Sequence, residues 1–380
     1  MRRLFAIAML LTFSACATPY RPAVIAKGST TFAGVADLLA SAGAVDVIMI
    51  HGMCTHDSKD AHDAMDEIVA ALGANVRPQS RPPDALRSLG RGAVEIVERD
   101  DQVGGSLRYR GIVWSGLTTP LKEQLQFDRS GVPNDCASAE PGTCKPRRAK
   151  LNADLKDGLL NDCLADALIY QGESRKAIRD AVVAALDTIM TASQDDGRPI
   201  VLVTESLGSK IAFDALDRML DAPEGTTART SARRLARQLA TVFMQANQLP
   251  ILSLADQHIG ASANAAAPAA ASRSMPQPLR RLAEERAGER GITGRSTLDA
   301  LKVVAFTDPN DLLSYRLLGS RFAGDPSIEF ADVLVSNAPT YVGLLENPLT
   351  AHTSYPRNPD VARLIACGEP RSGRCRWLDR

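Results

Sequence analysis

A serine hydroxyl is a weak nucleophile at neutral pH. To act it needs a base, an acid that orients the base, and donors for the negative oxygen it creates. Ser206 stands where such a hydroxyl would be presented. Residues 199–204 form a short apolar run, Glu205-Ser206-Leu207-Gly208 follows at once, and Ile211, Ala212, Ala215, Leu216 and Met219 then recur at helical spacing. A strand, a tight turn with a central Ser and a helix expose Oγ and aim the first helical N–H groups beside it. Such a crossing wants small residues two before and two after the Ser. Gly208 meets the second demand, whereas Thr204 puts a β-branched side chain where Gly is usual. The plainer reading is a Ser that caps a helix after a strand.

Upstream, the run 44–50 leads into His51-Gly52-Met53. A His-Gly turn after an early strand can aim the next amide at the same point. The Met53 and Leu207 N–H groups would then bracket a developing oxyanion, each contributing about 3 kcal/mol to its stabilisation.

The chain has five histidines: His51, His56, His62, His258 and His352. The first two lie in the proposed oxyanion loop, His62 falls on a helix, and His258 adjoins an Ala/Ser/Pro tract. His352 stands after the last strand, so chain order makes it the base. The acid must lie between nucleophile and base, at the carboxyl end of a strand. The strand 301–306 is followed by Thr307-Asp308-Pro309-Asn310-Asp311. Asp311 is preferred over Asp308, because Asp308-Pro309 reads as a turn opener; either also reads as a solvated turn residue. A neutral imidazole base would make activity rise with pH as it loses its proton.

The elements that must hold these residues alternate. Strands are expected at 44–50, 107–114, 199–204, 239–244, 301–306 and 333–335. Helices are expected at 59–72, 150–172, 174–190 and 207–220. Nearly continuous apolar strands alternating with amphipathic helices indicate a parallel sheet covered on both faces. The Pro/Gly/Cys-rich stretch from Gly116 and the helical segment to Gly172 form an insertion of about 116–172. Residues 256–295 read as a low-complexity loop followed by a surface helix with no core of its own. Segments 109–121 and 242–252 either line a pocket or simply pack the sheet.

His51-Gly52-Met53, Thr204-Glu205-Ser206-Leu207-Gly208, Asp311 and His352, in this order over about three hundred residues, resemble the α/β-hydrolase superfamily. The resemblance is at the level of motifs, and Thr204 departs from the usual elbow glycine. It implies an α/β fold with a mostly parallel sheet, helices on both faces and a cap-like insertion. It also implies acyl transfer to water through an acyl-serine, on a carboxylic ester or related acyl bond of a small molecule or lipid, without a cofactor. Transfer to another acceptor would use the same residues. A fold of this kind kept as an inert binding or scaffolding protein is the rival reading.

Composition sets the outer bounds. With 44 basic and 44 acidic residues in 380, 45% apolar and 23% charged, the chain can bury one large domain and has no global attraction for nucleic acid. Arg2 and Arg3, an apolar run 4–13 and small residues around Cys16 read as an export signal within residues 1–17. Phe13-Ser14-Ala15-Cys16 resembles a lipobox with Phe for the usual Leu. Cys16 would then be acylated and tie the protein to a membrane facing the periplasm, whereas Ala15-Cys16-Ala17 also fits ordinary signal-peptidase cutting and secretion. Setting Cys16 aside leaves six of the seven cysteines, suited to an oxidising compartment. Proximity alone suggests Cys136–Cys144 and Cys367–Cys375, leaving Cys54 with Cys163; free buried thiols are the alternative. A metal site from His51, Cys54, His56 and Asp57 has no ligand spacing that supports it.

Overall fold

The apolar strands find each other in one sheet. In a computed structural model, which describes residues 16–73, 94–130, 147–193, 197–257, 277–292, 300–317, 327–373 and 375, eight strands are hydrogen-bonded side by side. They are β1 (Val24–Gly28), β2 (Ala44–Ile50), β3 (Glu95–Gln102), β4 (Ser106–Val113), β5 (Ile200–Glu205), β6 (Leu239–Gln245), β7 (Leu301–Thr307) and β8 (Ile328–Leu334). Their order is β1-β8-β7-β6-β5-β2-β4-β3. The six central strands run parallel, and the edge strands β1 and β3 are antiparallel to their neighbours.

Buried parallel strands carry apolar residues on both faces, and the alternation along them divides the core in two. Val47, Met49, Val201 and Val203 face one side, with helices α1 (Val35–Ala42), α2 (Ser58–Ala71) and, late in the chain, α9 (Pro359–Cys367). Ile48, Ile50, Ile200 and Leu202 face the other. That side holds α3 (Ala165–Gln171), α4 (Arg175–Ala192), α5 (Leu207–Leu220), α6 (Thr227–Gln238) and α7 (Gln277–Ile292). A short α8 (Pro348–Thr353) lies between β8 and α9. The chain is therefore α/β, with a mostly parallel mixed sheet flanked by helices.

Several sequence expectations shift. The edge strands β1 and β3 were not expected, nor were α1 and α6. β3 reads EIVERDDQ, with four consecutive charged residues, Glu98 to Asp101, on an edge that needs little apolar surface. The run at 333–335 is the end of a longer strand, β8. α7 is more than a surface helix, because Leu279, Leu282 and Ala283 are buried in the core beside α5 and α6. In the insertion, residues 119–122 are a single helical turn, and Leu155–Leu164 is a ten-residue π-helix that runs into α3. The part of the expected export signal before Cys16, Cys136, Cys144, His258 and the tract 258–276 lie outside the described residues.

Two disulfides occur as proximity and elimination suggested, Cys54–Cys163 and Cys367–Cys375. The first spans 109 residues and ties the loop after β2 to the π-helix. Beside it the buried Lys122 ammonium sits on Asp162 (2.8 Å) and Asp166 (3.0 Å) and donates to Thr55 Oγ1. Thr55 Oγ1 in turn donates to Asp162 at 2.6 Å. The insertion thus grips the 51–55 loop by a covalent bond and a buried ion cluster.

Candidate active site

β5 ends at Glu205 and α5 begins at Leu207, so the whole reversal falls on Ser206. Its backbone has φ 50° and ψ −124°, a conformation that costs a non-glycine residue on the order of 1–3 kcal/mol. Hydrogen bonds hold it there: Ser206 N–H donates to Gln245 O at 2.7 Å, and Ser209 N–H to Ser206 O at 3.1 Å.

Neighbouring residues explain why the turn can be so sharp. A Cβ on Gly208 would lie 2.3 Å from His51 O and 2.6 Å from Ile50 O. A Cβ on Gly52 would lie 2.8 Å from the Ser206 Cβ. Crowding therefore falls at 208 and 52, where both residues are Gly. Thr204 is accommodated because its hydroxyl, buried, pairs with Ser209 Oγ at 2.9 Å on the first turn of α5.

The close approach of residues 50–52 sets the Met53 backbone beside the elbow. Met53 is buried, and its carbonyl accepts from His56 Nε2 at 3.1 Å. Leu207 is the first residue of α5, so its N–H is among those with no partner inside the helix. His51 fixes this loop. Trp114 N–H donates to His51 Nε2 at 2.9 Å, which leaves the ring proton on Nδ1, where it donates to Gly52 O at 2.7 Å. The Trp114 indole stacks on the imidazole at 5.0 Å and donates to His51 O. Burial, then the neighbouring His56, hold His51 well below its ordinary pKa, so it stays a neutral strut.

The other half arrives from β7 and α8. Ser206 Oγ lies 3.1 Å from His352 Nε2, and His352 Nδ1 lies 3.0 Å from both oxygens of Asp311. α8 is started by Pro348 at its first position and by the Asn347 side chain, which accepts from the Leu349 and Thr350 N–H groups. His352 falls in its last turn. Asp311 Oδ1 also accepts from Leu313 N–H at 2.9 Å, and Oδ2 from Tyr355 Oη at 3.1 Å. Asp308 serves the turn, though neither it nor Asp311 is solvated, since both are buried. Asp308 Oδ1 accepts from Asn310 N–H and its Oδ2 from Asn337 N–H, which closes the turn.

Sequence reasoning missed Tyr355, Trp114 and Glu205. Tyr355 is fully buried; its hydroxyl accepts from Asp308 N–H (2.7 Å) while donating to Asp311. Burial and the adjacent Asp311 raise its pKa well above the ordinary value, so it remains a donor. A Tyr three residues after the expected base was the available signal. Glu205 is buried with Oε2 unpartnered, and burial raises its pKa. It lines a cavity of about 210 Å³ with His51, His56, Asp60, Thr353 and Arg357. Of the segments expected to line the active-site pocket, 109–121 gives Tyr109, Gly111, Ile112 and Val113 to this other cavity, while Val242–Met244 pack the sheet. Ser206 itself is 1% exposed and is not part of this cavity's lining. The residues proposed as metal ligands serve otherwise: Cys54 is bonded to Cys163, and both His51 nitrogens are engaged.

The chain matches no protein-family model, no curated protein and no solved structure.

Proposed function

We propose that the chain is an exported serine hydrolase of the α/β-hydrolase type, cleaving a carboxylic ester or related acyl bond through an acyl-serine. The observation that carries this reading is the unbroken series Ser206 Oγ, His352 Nε2, His352 Nδ1, Asp311, set on a strained strand-to-helix turn.

In the proposed reaction His352 Nε2 takes the proton from Ser206 Oγ as the oxygen adds to the acyl carbon. Asp311 holds the Nδ1–H tautomer and stabilises the imidazolium. Tyr355 and Leu313 N–H hold the carboxylate in turn. The carbonyl oxygen, now negative, is received by the Met53 and Leu207 N–H groups. His352 then returns the proton to the leaving alkoxide, the acyl–oxygen bond breaks, and water enters by the same steps in reverse order. No cofactor is required by this scheme. Cys16, free and exposed at the start of the described residues, is the proposed acylation point, and the two disulfides support an oxidising, periplasm-facing location.

A second reading, an inert protein of this fold that binds or scaffolds, is favoured by one observation: the Ser206 side chain is buried. A fluorophosphonate probe separates the two. The hydrolase is expected to label once per chain, at Ser206 by mass spectrometry, and to lose labelling and ester turnover in Ser206→Ala. A folded parent chain that neither labels nor hydrolyses a series of esters of increasing acyl length leaves the inert reading in possession.

A further inference from the structure

Between β8 and α8 the chain makes a hairpin whose composition is wrong for a solvent-facing turn. No charged side chain occurs from Val333 to Leu345. At its tip Tyr341, Val342, Leu344 and Leu345 are 53%, 64%, 86% and 52% exposed. Isolated exposed leucines are ordinary, but four large apolar side chains within five residues are not. The turn itself is tight: Tyr341 N–H donates to Leu345 O at 2.7 Å and Leu344 N–H to Tyr341 O at 2.9 Å. Val342 and Gly343 both have positive φ, 54° and 67°. Turn chemistry favours Gly, Asn or Asp at such positions, so a β-branched valine there is unfavourable for the backbone and gains nothing from water.

A second, independent observation says what lies against this tip. Residues Cys16–Ala17 pair antiparallel with Thr340–Tyr341, with Cys16 opposite Tyr341, and Thr340 Oγ1 donates to Ala17 O. The residue at which the export segment ends and an acyl group would be attached is therefore strapped to the base of the apolar turn. Among the described residues no helix is long and apolar enough to cross a membrane.

The geometry points to the 340–345 hairpin as a membrane-docking element that sinks Tyr341, Val342, Leu344 and Leu345 into the leaflet holding the acylated Cys16. The hairpin adds a protein contact to the leaflet beside the lipid on Cys16. The hairpin also sets the orientation of the protein. Its base is fixed to the acid loop, because Glu346 accepts from Ala338 N–H and from Asn310 Nδ2 (2.8 Å). Leu312, two residues past Asn310, is exposed as well. Docking would thus turn the Asp311 side of the candidate site toward the lipid. The inference rests on the reading of Cys16 as the anchor, not on hydrolysis.

The full acylated chain, with the acyl group verified by mass spectrometry, is bound to vesicles of phosphatidylethanolamine and phosphatidylglycerol. Leu344→Trp is compared with Leu168→Trp, an exposed leucine on α3 that serves as control. The L344W indole is expected to shift to the blue and to be quenched by lipid brominated in its acyl chains, while the L168W indole is not. An acylated, vesicle-bound chain whose L344W emission stays that of a water-exposed indole overturns the proposal. So does a blue shift without lipid quenching that grows with protein concentration, which would mark a protein interface. Fluorophosphonate labelling in the same samples reports the catalytic reading separately.

Discussion

The two halves of the candidate site are built by different means. The nucleophile half, residues 50–54 and 204–209, is held by backbone: two glycines let His51 O and the Ser206 turn approach to distances that a Cβ would forbid. The acid-base half, residues 308–314 and 347–358, is held by side chains. Asp311 and Tyr355 fix one imidazole from buried positions, Asn337 and Asn358 hold each other and the Ala351 carbonyl beside it, and the exposed Asn347 caps the helix that carries it. A backbone-built half has steric tolerance close to zero and positions amides. A side-chain-built half can be retuned one hydrogen bond at a time. The first should therefore fail all at once, and the second by degrees.

The largest effect is expected where the backbone half is breached. Gly208→Ala has to displace the carbonyls of Ile50 and His51, so it should lower stability by about 3 kcal/mol in urea unfolding and abolish fluorophosphonate labelling. Unchanged stability with full labelling would erase the contrast between the halves. Tyr355→Phe, in the other half, removes the hydrogen bond to the Asp311 carboxylate, an interaction of about 2 kcal/mol, and with it the acceptor of the Asp308 N–H. It should reduce kcat about 10- to 30-fold by steady-state kinetics, with labelling slowed but retained and the fold intact. Complete loss would mean that the network acts as a unit.

The smallest effect sharpens the picture of the acid loop. Burial, with Asp308 beside it, raises Glu346 from 4.5 to about 7, and Asp308 is raised by burial too. The folded chain thus binds this proton more tightly than the unfolded one. The pair's contribution to stability is full at acid pH and is lost as pH rises from 4.5 through about 7. Glu346→Gln keeps a donor for Asp308 and cannot titrate, so the fall in melting temperature across that window should be shallower than in the parent. Parallel curves would remove this carboxyl pair from the acid loop's electrostatics.

Much of this site was legible in the order of residues along the chain. Ser206, Asp311 and His352 could be placed because buried parallel strands have an unmistakable apolar signature, and chain order then assigns the residues that follow their carboxyl ends. The choice of Asp311 over Asp308 was legible from turn chemistry around Pro309. Other features were not. α6 reads TARTSARRLARQ, and the buried stripe of Ala232, Leu235 and Ala236 is hidden among arginines. Thr204 read as a clash because the Ser209 hydroxyl that receives it is visible only in three dimensions. Nor does a string of letters report that Ser206 lies under other parts of the chain, since burial of a small polar residue leaves no periodic trace.

The Cys54–Cys163 bond constrains how that burial can be relieved. The π-helix sits over α8, where a Cβ on Gly158 would come 3.0 Å from Leu349, yet one of its residues is covalently joined to the neighbour of Met53. Any motion of the π-helix away from α8 must keep this rivet closed and pivot about it, so the free travel lies at the Gly158–Leu349 contact.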